Sequence, residues 1–204
     1  MKLSYSPASP YVRKVMVVLH ETGQLDDVEL VTTTTTPLSP SLELIGKNPL
    51  GKVPALERDD GPALFDSRVI CAYLNERGKG SLYPEGARKW EVRTLEALAD
   101  GILDAALAVT YEARLRPEAI RFEAWTDGQW GKVARACAVL DQRWMSHLAG
   151  PLDIGQIGVA CALGYLDFRH DARNWRQGND ALAAWFEKIE SRPSLAATKP
   201  RDAK

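Results

Sequence analysis

Two hydrophobic rhythms succeed one another along this chain. In the first seventy-five residues short β-branched runs alternate with stretches of helical period, whereas beyond residue 87 only the helical period continues. "KLSY" predicts a short strand. From Pro10 onward Val12, Val15, Met16 and Leu19 fall on one face and Arg13, Lys14 and His20 largely elsewhere, which predicts an amphipathic helix stopped near Gly23. "VELVTTTTT" is expected to be extended because of its β-branched residues, completing a βαβ unit. "SLELIGKNPLG" reads as a short helix or turn. "VPALE" and "PALF", flanking Arg58, Asp59, Asp60 and Gly61, predict a β-hairpin with a loop of four residues or slightly more. "DSRVICAYLNERG" then predicts a helix with Val69, Ile70, Tyr73 and Leu74 on one face, ending at Gly78.

Gly, Ser and Pro cluster in "GKGSLYPEG", residues 78–86, as in a linker. Past it, helices are expected over about residues 87–114, 117–149, 154–169 and 180–191, and no strand. Asp153 followed by Gln156, just before "IGVACALGYL", is a capping-box pattern. The near-continuous apolar character of that helix predicts burial at the centre of the helical half, with Gly155, Gly158 and Gly164 permitting close helix contacts. The expected organisation is therefore an α/β domain over 1–77, a linker over 78–86 and an all-helical domain over 87–204.

Composition narrows the chemistry. The 204 residues hold 26 basic and 27 acidic side chains, a net charge of −1, so there is no electrostatic footprint for nucleic acid or an anionic membrane. No apolar run approaches the length of a spanning helix and the start lacks a signal-peptide core, which points to a cytoplasmic protein. Cys71, Cys137 and Cys161 are far apart and sit in apolar helical contexts, as core thiols do. His20, His147 and His170 show no ligand spacing, so no metal is expected. Serine-hydrolase Gly-x-Ser-x-Gly is missing.

One stretch resists a purely structural account. In "SYSPASPYVRKVM" Ser9 is placed to cap the helix that Pro10 opens, and the same hydroxyl and free amides, at the positive end of the macrodipole, suit an anion such as a thiolate. Three motifs give that second use a context. "SPYV" stands where glutaredoxin-like proteins carry Cys-Pro-Tyr-Cys, with Ser9 at the reactive position. "NPLGKVPAL", residues 48–56, is similar to an Asn-Pro-x-Gly-x-Val-Pro segment whose Val-Pro bond is cis. "FDSRVICAYL" is similar to a Glu/Asp-Ser-x-x-Ile pattern that opens a helix. With these motifs, and with "ALADGILDA" and "GYLDFR" in the helical half, the chain resembles the soluble glutathione S-transferases, bacterial type with serine at the active-site position. The resemblance implies a thioredoxin-like N-terminal domain joined to an all-helical C-terminal domain.

It also implies roles. A peptide-like ligand needs main-chain pairing, anchors for its carboxylates and stabilisation of its sulfur. Val53 would pair with the cysteinyl unit of glutathione; Ser67 would take up the γ-glutamyl carboxylate and Asp66 the ammonium group, although both residue types are also ordinary helix caps. Lys52 would face the glycyl carboxylate. Asp104, in "DGILD", resembles a carboxylate that reaches the neighbouring subunit's ligand in dimeric members. Ser9 would stabilise the thiolate, with Tyr5 as the alternative. The implied activity is conjugation of glutathione, as cosubstrate, to a small electrophile held near Tyr111 and Arg114, by a homodimer. A non-catalytic binding or interaction protein of the same shape is the alternative, since fold alone does not fix function. A disulfide reductase is disfavoured, because no cysteine stands near Ser9.

Overall fold

The computed structural model describes residues 1–202 and divides the chain into two compact units: Met1–Tyr83 together with the segment from Pro193 onward, and Pro84–Arg192. In the first unit the order is β1 (Lys2–Tyr5), α1 (Pro10–Glu21), β2 (Glu29–Thr32), α2 (Leu42–Ile45), β3 (Ala55–Arg58), β4 (Gly61–Leu64) and α3 (Ser67–Arg77), joined by α9 (Pro193–Ala197) from the end of the chain. The four strands form one sheet in the order β2-β1-β3-β4, with β1 parallel to β2 and antiparallel to β3. This is the thioredoxin-like arrangement. The second unit is helical: α4 (Lys89–Leu115), α5 (Glu123–Arg143), α6 (Met145–Leu148), α7 (Ile154–His170) and α8 (Asp180–Glu190).

Strand register decides what lies where. Ser4 pairs with Ala55, so the end of β1 runs beside the start of β3, and Leu56 pairs with Leu64, so the end of β4 lies beside that same start. The β1–α1 turn, the segment before Ala55 and the entry to α3 therefore gather at one edge of the sheet.

Several expectations change. The extended segment after Val28 leaves the sheet at Thr32, because β1, its pairing partner, ends at Tyr5, opposite Thr32. The hairpin loop shortens to Asp59 and Asp60, since Arg58 pairs with Gly61. The helix expected over 117–149 is interrupted: a 3₁₀ turn at Glu118–Ile120 precedes α5, and α6 follows it. On α3, Ile70 and Leu74 are buried but Val69 is 48% exposed. Leu195, expected with the helical half, groups with the first unit because α9 packs on α1. Arg13 Nη2 donates to the Leu195 carbonyl at 3.2 Å, the Ser194 hydroxyl donates to Glu21, and the Arg201 amide donates to the Pro7 carbonyl at 3.2 Å.

That packing overturns one further expectation. Placed against α3 and α9, α1 is buried from Val12 to Leu19, so Arg13 and Lys14, expected to lie largely off the apolar face, are 3% and 0% exposed. The helical centre agrees with its sequence. Every residue of α7 from Ile154 to Leu166 is buried, and a Cβ on Gly155 would meet Leu95 Cβ at 2.9 Å, so only glycine allows α7 to lie this close to α4. Cys71, Cys137 and Cys161 are all buried free thiols, and burial pushes the Cys137 thiol up to about 12. Among the described residues no helix is long and apolar enough to cross a membrane.

Candidate functional site

Ser9 is the N-cap of α1. Its backbone is extended, its hydroxyl accepts from the Val12 amide at 3.3 Å, and Pro10 occupies the first helical position, where its missing N–H leaves no intrahelical bond unmade. Its own amide donates to the Ser6 carbonyl at 3.1 Å, which tightens the turn leaving β1. Ser9 stays half-buried, as does Tyr5 at the end of the strand. The helix start is thus capped yet open on one side, with amides and the macrodipole favouring negative charge.

The segment before β3 is braced by a buried side chain. Asn48, 2% exposed, donates from Nδ2 to the Lys52 carbonyl at 2.8 Å and accepts the Leu50 amide at 3.0 Å, while its carbonyl accepts the Gly51 amide at 2.8 Å. Gly51 takes a φ of 62°, the left-handed region that glycine enters without a Cβ penalty. Val53–Pro54 is cis, as the motif implied. Val53 is half-buried and lies outside the β1–β3 ladder, and Lys52 is exposed.

Sequence reasoning assigned no task to the threonines at 32–36; the structure supplies one. Thr33 donates its amide to the Tyr5 carbonyl at 2.8 Å, and Thr35 donates its hydroxyl to the Gly51 carbonyl at 3.0 Å and accepts the Ser41 amide at 3.3 Å. The run therefore ties the loop after β2 to the Val53 loop. Short hydroxyl-bearing side chains suit such lacing because they bond to nearby backbone.

At the entry to α3 the two adjacent residues divide their work. Asp66 is the cap, accepting the Arg68 amide at 2.9 Å and the Arg68 guanidinium at 3.0 Å, and Ser67, 2% exposed, is the first helical residue. Burial works against ionisation of Asp66, but the hydrogen bonds from Arg68, with the charges of Arg68 and buried Lys14, outweigh it and hold the carboxyl below its ordinary value. Lys14 thus reaches the site electrostatically from inside α1. Its sequence signal, a basic pair immediately after a capped start in "SPYVRK", is indistinguishable from a solvated helix face until the packing is seen.

Ser9, Val53, Asp66 and Ser67 therefore share one sheet edge, with Lys52 in the loop leading to it. Asp104 belongs to the second unit, on the exposed face of α4, which also carries half-buried Tyr111 and exposed Arg114. Among the described residues no group of three or more His, Cys, Asp or Glu could hold a metal ion.

Residues 8–77 match the family model described as "Glutathione S-transferase, N-terminal domain" and residues 123–188 that described as "Glutathione S-transferase, C-terminal domain". The chain is 34% identical over 204 residues to the Escherichia coli K12 "Uncharacterized GST-like protein YibF", covering 98% of each. A Pseudomonas fluorescens Pf-5 glutathione transferase family member, solved with bound glutathione, superposes with a TM-score of 0.95 at 50% identity, covering 98% of both chains. A second Pf-5 structure, with bound S-(propanoic acid)-glutathione, gives 0.91 at 49% identity, covering 98% of this chain and 100% of that one. The chain belongs to the glutathione S-transferase family.

Proposed function

We propose that this chain binds glutathione at the sheet edge of the first unit and conjugates its thiolate to small electrophiles, with Ser9 stabilising the thiolate. The observation that carries the reading is the register: Ser4 against Ala55 and Leu56 against Leu64 bring an open helix cap, an unladdered main-chain segment and a capped acidic helix entry to one edge. Each supplies a different part of what a γ-glutamyl tripeptide requires. Val53 pairs its backbone with the cysteinyl unit as an added strand does. Ser67 and the first amides of α3 receive the γ-glutamyl carboxylate, and Asp66, kept ionised, receives the ammonium group. Lys52 faces the glycyl carboxylate. Glutathione bound in one Pf-5 neighbour and S-(propanoic acid)-glutathione in the other support glutathione binding by this chain.

A free thiol titrates near pH 8.5 and is mostly protonated at neutral pH. One hydroxyl donor plus the helix terminus, lowering that pKa by about two units, corresponds to about 2.7 kcal/mol. The thiolate sulfur then attacks the electrophilic carbon. Because the nucleophile belongs to glutathione, the buried cysteines of the protein need take no part. Proximity and thiolate stabilisation supply the acceleration.

Calorimetry with millimolar glutathione tests binding, with saturable heat and a raised melting temperature expected. Absence of both overturns the reading. Homodimerisation and a cytoplasmic setting belong to the same proposal, resting on the likeness of "ALADGILDA" to an interface helix and of the whole chain to soluble members. Sedimentation as a monomer at micromolar concentration would remove the dimer, and with it any role for Asp104 toward a neighbouring subunit's glutathione.

A further inference from the structure

Ser9 owes its place to the turn that leads into it. The Ser9 amide donates to the Ser6 carbonyl at 3.1 Å and closes a four-residue turn with Pro7 in its second position, where the fixed φ of proline is suited. The three carbonyls ahead of Ala8 are tied in three directions. The Tyr5 carbonyl takes the Thr33 amide at 2.8 Å, from the loop after β2, the Ser6 carbonyl takes Ser9, and the Pro7 carbonyl takes the Arg201 amide at 3.2 Å. Proline has no N–H, so the backbone of Pro7 can be gripped only by its carbonyl. The bond from Arg201 therefore fastens the tip of the turn to the far end of the chain.

Arg201 is itself held. Upstream of it, α9 is seated on α1, with Arg13 Nη2 donating to the Leu195 carbonyl and the Ser194 hydroxyl to Glu21. The Thr198 hydroxyl donates back to the Ser194 carbonyl at 2.8 Å, and Pro200 stiffens the two residues that lead from Thr198 to Arg201. Arg13, 3% exposed, thus anchors the segment from inside the helix that Ser9 caps, one turn further along. Between α1 and this segment lies a cavity of about 370 Å³ with Pro7, Ser9, Arg13, Lys199 and Arg201 in its wall. On that side the turn borders open space, so close packing does not fix it and the hydrogen bond does.

We propose that the C-terminal segment is a strap on the thiolate site and that Arg201 is a positioning residue, acting through its backbone amide to set the Ser9 hydroxyl. The proposal rests on the reading of Ser9 given above. A hydroxyl–thiolate hydrogen bond depends steeply on distance and angle, so a turn free to shift at Pro7 weakens it although Ser9 and its cap are still present. The Arg201 side chain has no part in this role.

Arg201→Pro deletes the amide proton and Arg201→Ala keeps it. Ultraviolet titration of glutathione bound to the full chain is the readout, because a segment that only stabilised the fold would leave the bound thiol unmoved. Arg201→Pro is expected to raise the bound-thiol pKa by about half a unit to one unit, less than the loss of Ser9 itself, with glutathione affinity kept. Arg201→Ala is expected to titrate as wild type, and in a Ser9→Ala background Arg201→Pro is expected to add nothing. A wild-type titration in Arg201→Pro, or a shift of equal size when Ser9 is absent, overturns the proposal. Equal shifts in the Pro and Ala variants overturn the assignment to the amide. Should Arg201→Pro fail to fold, a chain ending at Pro200, which keeps α9, carries the same expectations and counts against the proposal in the same way. Wild type that binds no glutathione refutes the glutathione reading, and Ser9→Ala that alone leaves the titration unmoved refutes the role of Ser9; either is seen before Arg201 is changed, and the strap falls with it.

Discussion

Two of the helix caps of this protein, those of α7 and α1, are finished differently. At the start of α7 everything is closed. Asp153 Oδ1 accepts the Gln156 amide at 3.1 Å, Gln156 Oε1 accepts the Asp153 amide at 2.9 Å, and Gln156 Nε2 donates to the carbonyls of His147, Leu148 and Gly150. Asp153 Oδ2 takes Arg88 at 3.1 Å and His147 at 2.8 Å. At the start of α1 a single 3.3 Å bond from Val12 satisfies Ser9, the hydroxyl borders a cavity, and one turn later Arg13 keeps two donors without acceptors. A cap whose polar groups are all satisfied from within is a structural device. One whose residue borders open space can be completed from outside.

The comparison breaks first at α7. Asp153→Ala should cost about 3 to 5 kcal/mol, because it strips a buried carboxylate from Arg88, His147 and the helix amides at once. Denaturant unfolding measures it, and a loss below about 1 kcal/mol would show the network to be ornamental to stability. Glutathione affinity in the folded variant is expected to stay unchanged.

Ser67→Ala should weaken glutathione binding by about 1.5 to 3 kcal/mol, the value of one charge-assisted hydrogen bond, while the reactivity of the bound thiol persists. Unaltered affinity would reduce Ser67 to a buried helix residue.

Ser9→Ala separates the two uses of an open cap. Stability should fall by around 1 kcal/mol. The pKa of the bound thiol should rise and conjugation slow by roughly tenfold to a hundredfold, equivalent to about 1.4 to 2.7 kcal/mol. Ultraviolet titration of bound glutathione provides the readout. Coincident wild-type and variant curves would leave Ser9 as a cap and move the thiolate role to Tyr5. Ser9→Cys should redirect the chemistry toward mixed disulfides.

The smallest effect sharpens the contrast from inside the helical unit. Burial holds the His170 imidazole below its ordinary value of 6.5, only partly offset by the Ala106 carbonyl 3.0 Å from Nε2. The unfolded chain therefore takes up this proton first. The contribution of His170 is fully present above 6.5 and is lost as pH falls through the lower folded value. Denaturation midpoints at about pH 7.5 and about pH 5.5 should differ less in His170→Asn than in wild type. An identical slope in both would assign the acid sensitivity to other groups.

How much was legible beforehand differs element by element. The capping box at Asp153 and the apolar run after it were readable because cap and core face are both local patterns, and α7 carries both. Ser9, Val53, Asp66 and Ser67 could be singled out because three short motifs name their positions. Arg13 and Lys14 could not be placed, since charged residues beside an apolar stripe look solvent-facing whenever only one helix is considered. The threonine run was equally opaque: its bonds go to Gly51 and Tyr5, across loop and sheet.

The sequence by itself determined where α1, α3, α7 and α8 start, that α7 is a buried helix with glycines for close contact, and which family the chain joins. These depend on neighbours within a few residues, or on residue types that tolerate few substitutes. Only the tertiary structure decided that the end of the chain returns to α1, burying Arg13 and walling a basic cavity beside Ser9. That outcome depends on residues 182 apart in sequence meeting through one hydrogen bond and the packing around it, and no local period records a contact of that range.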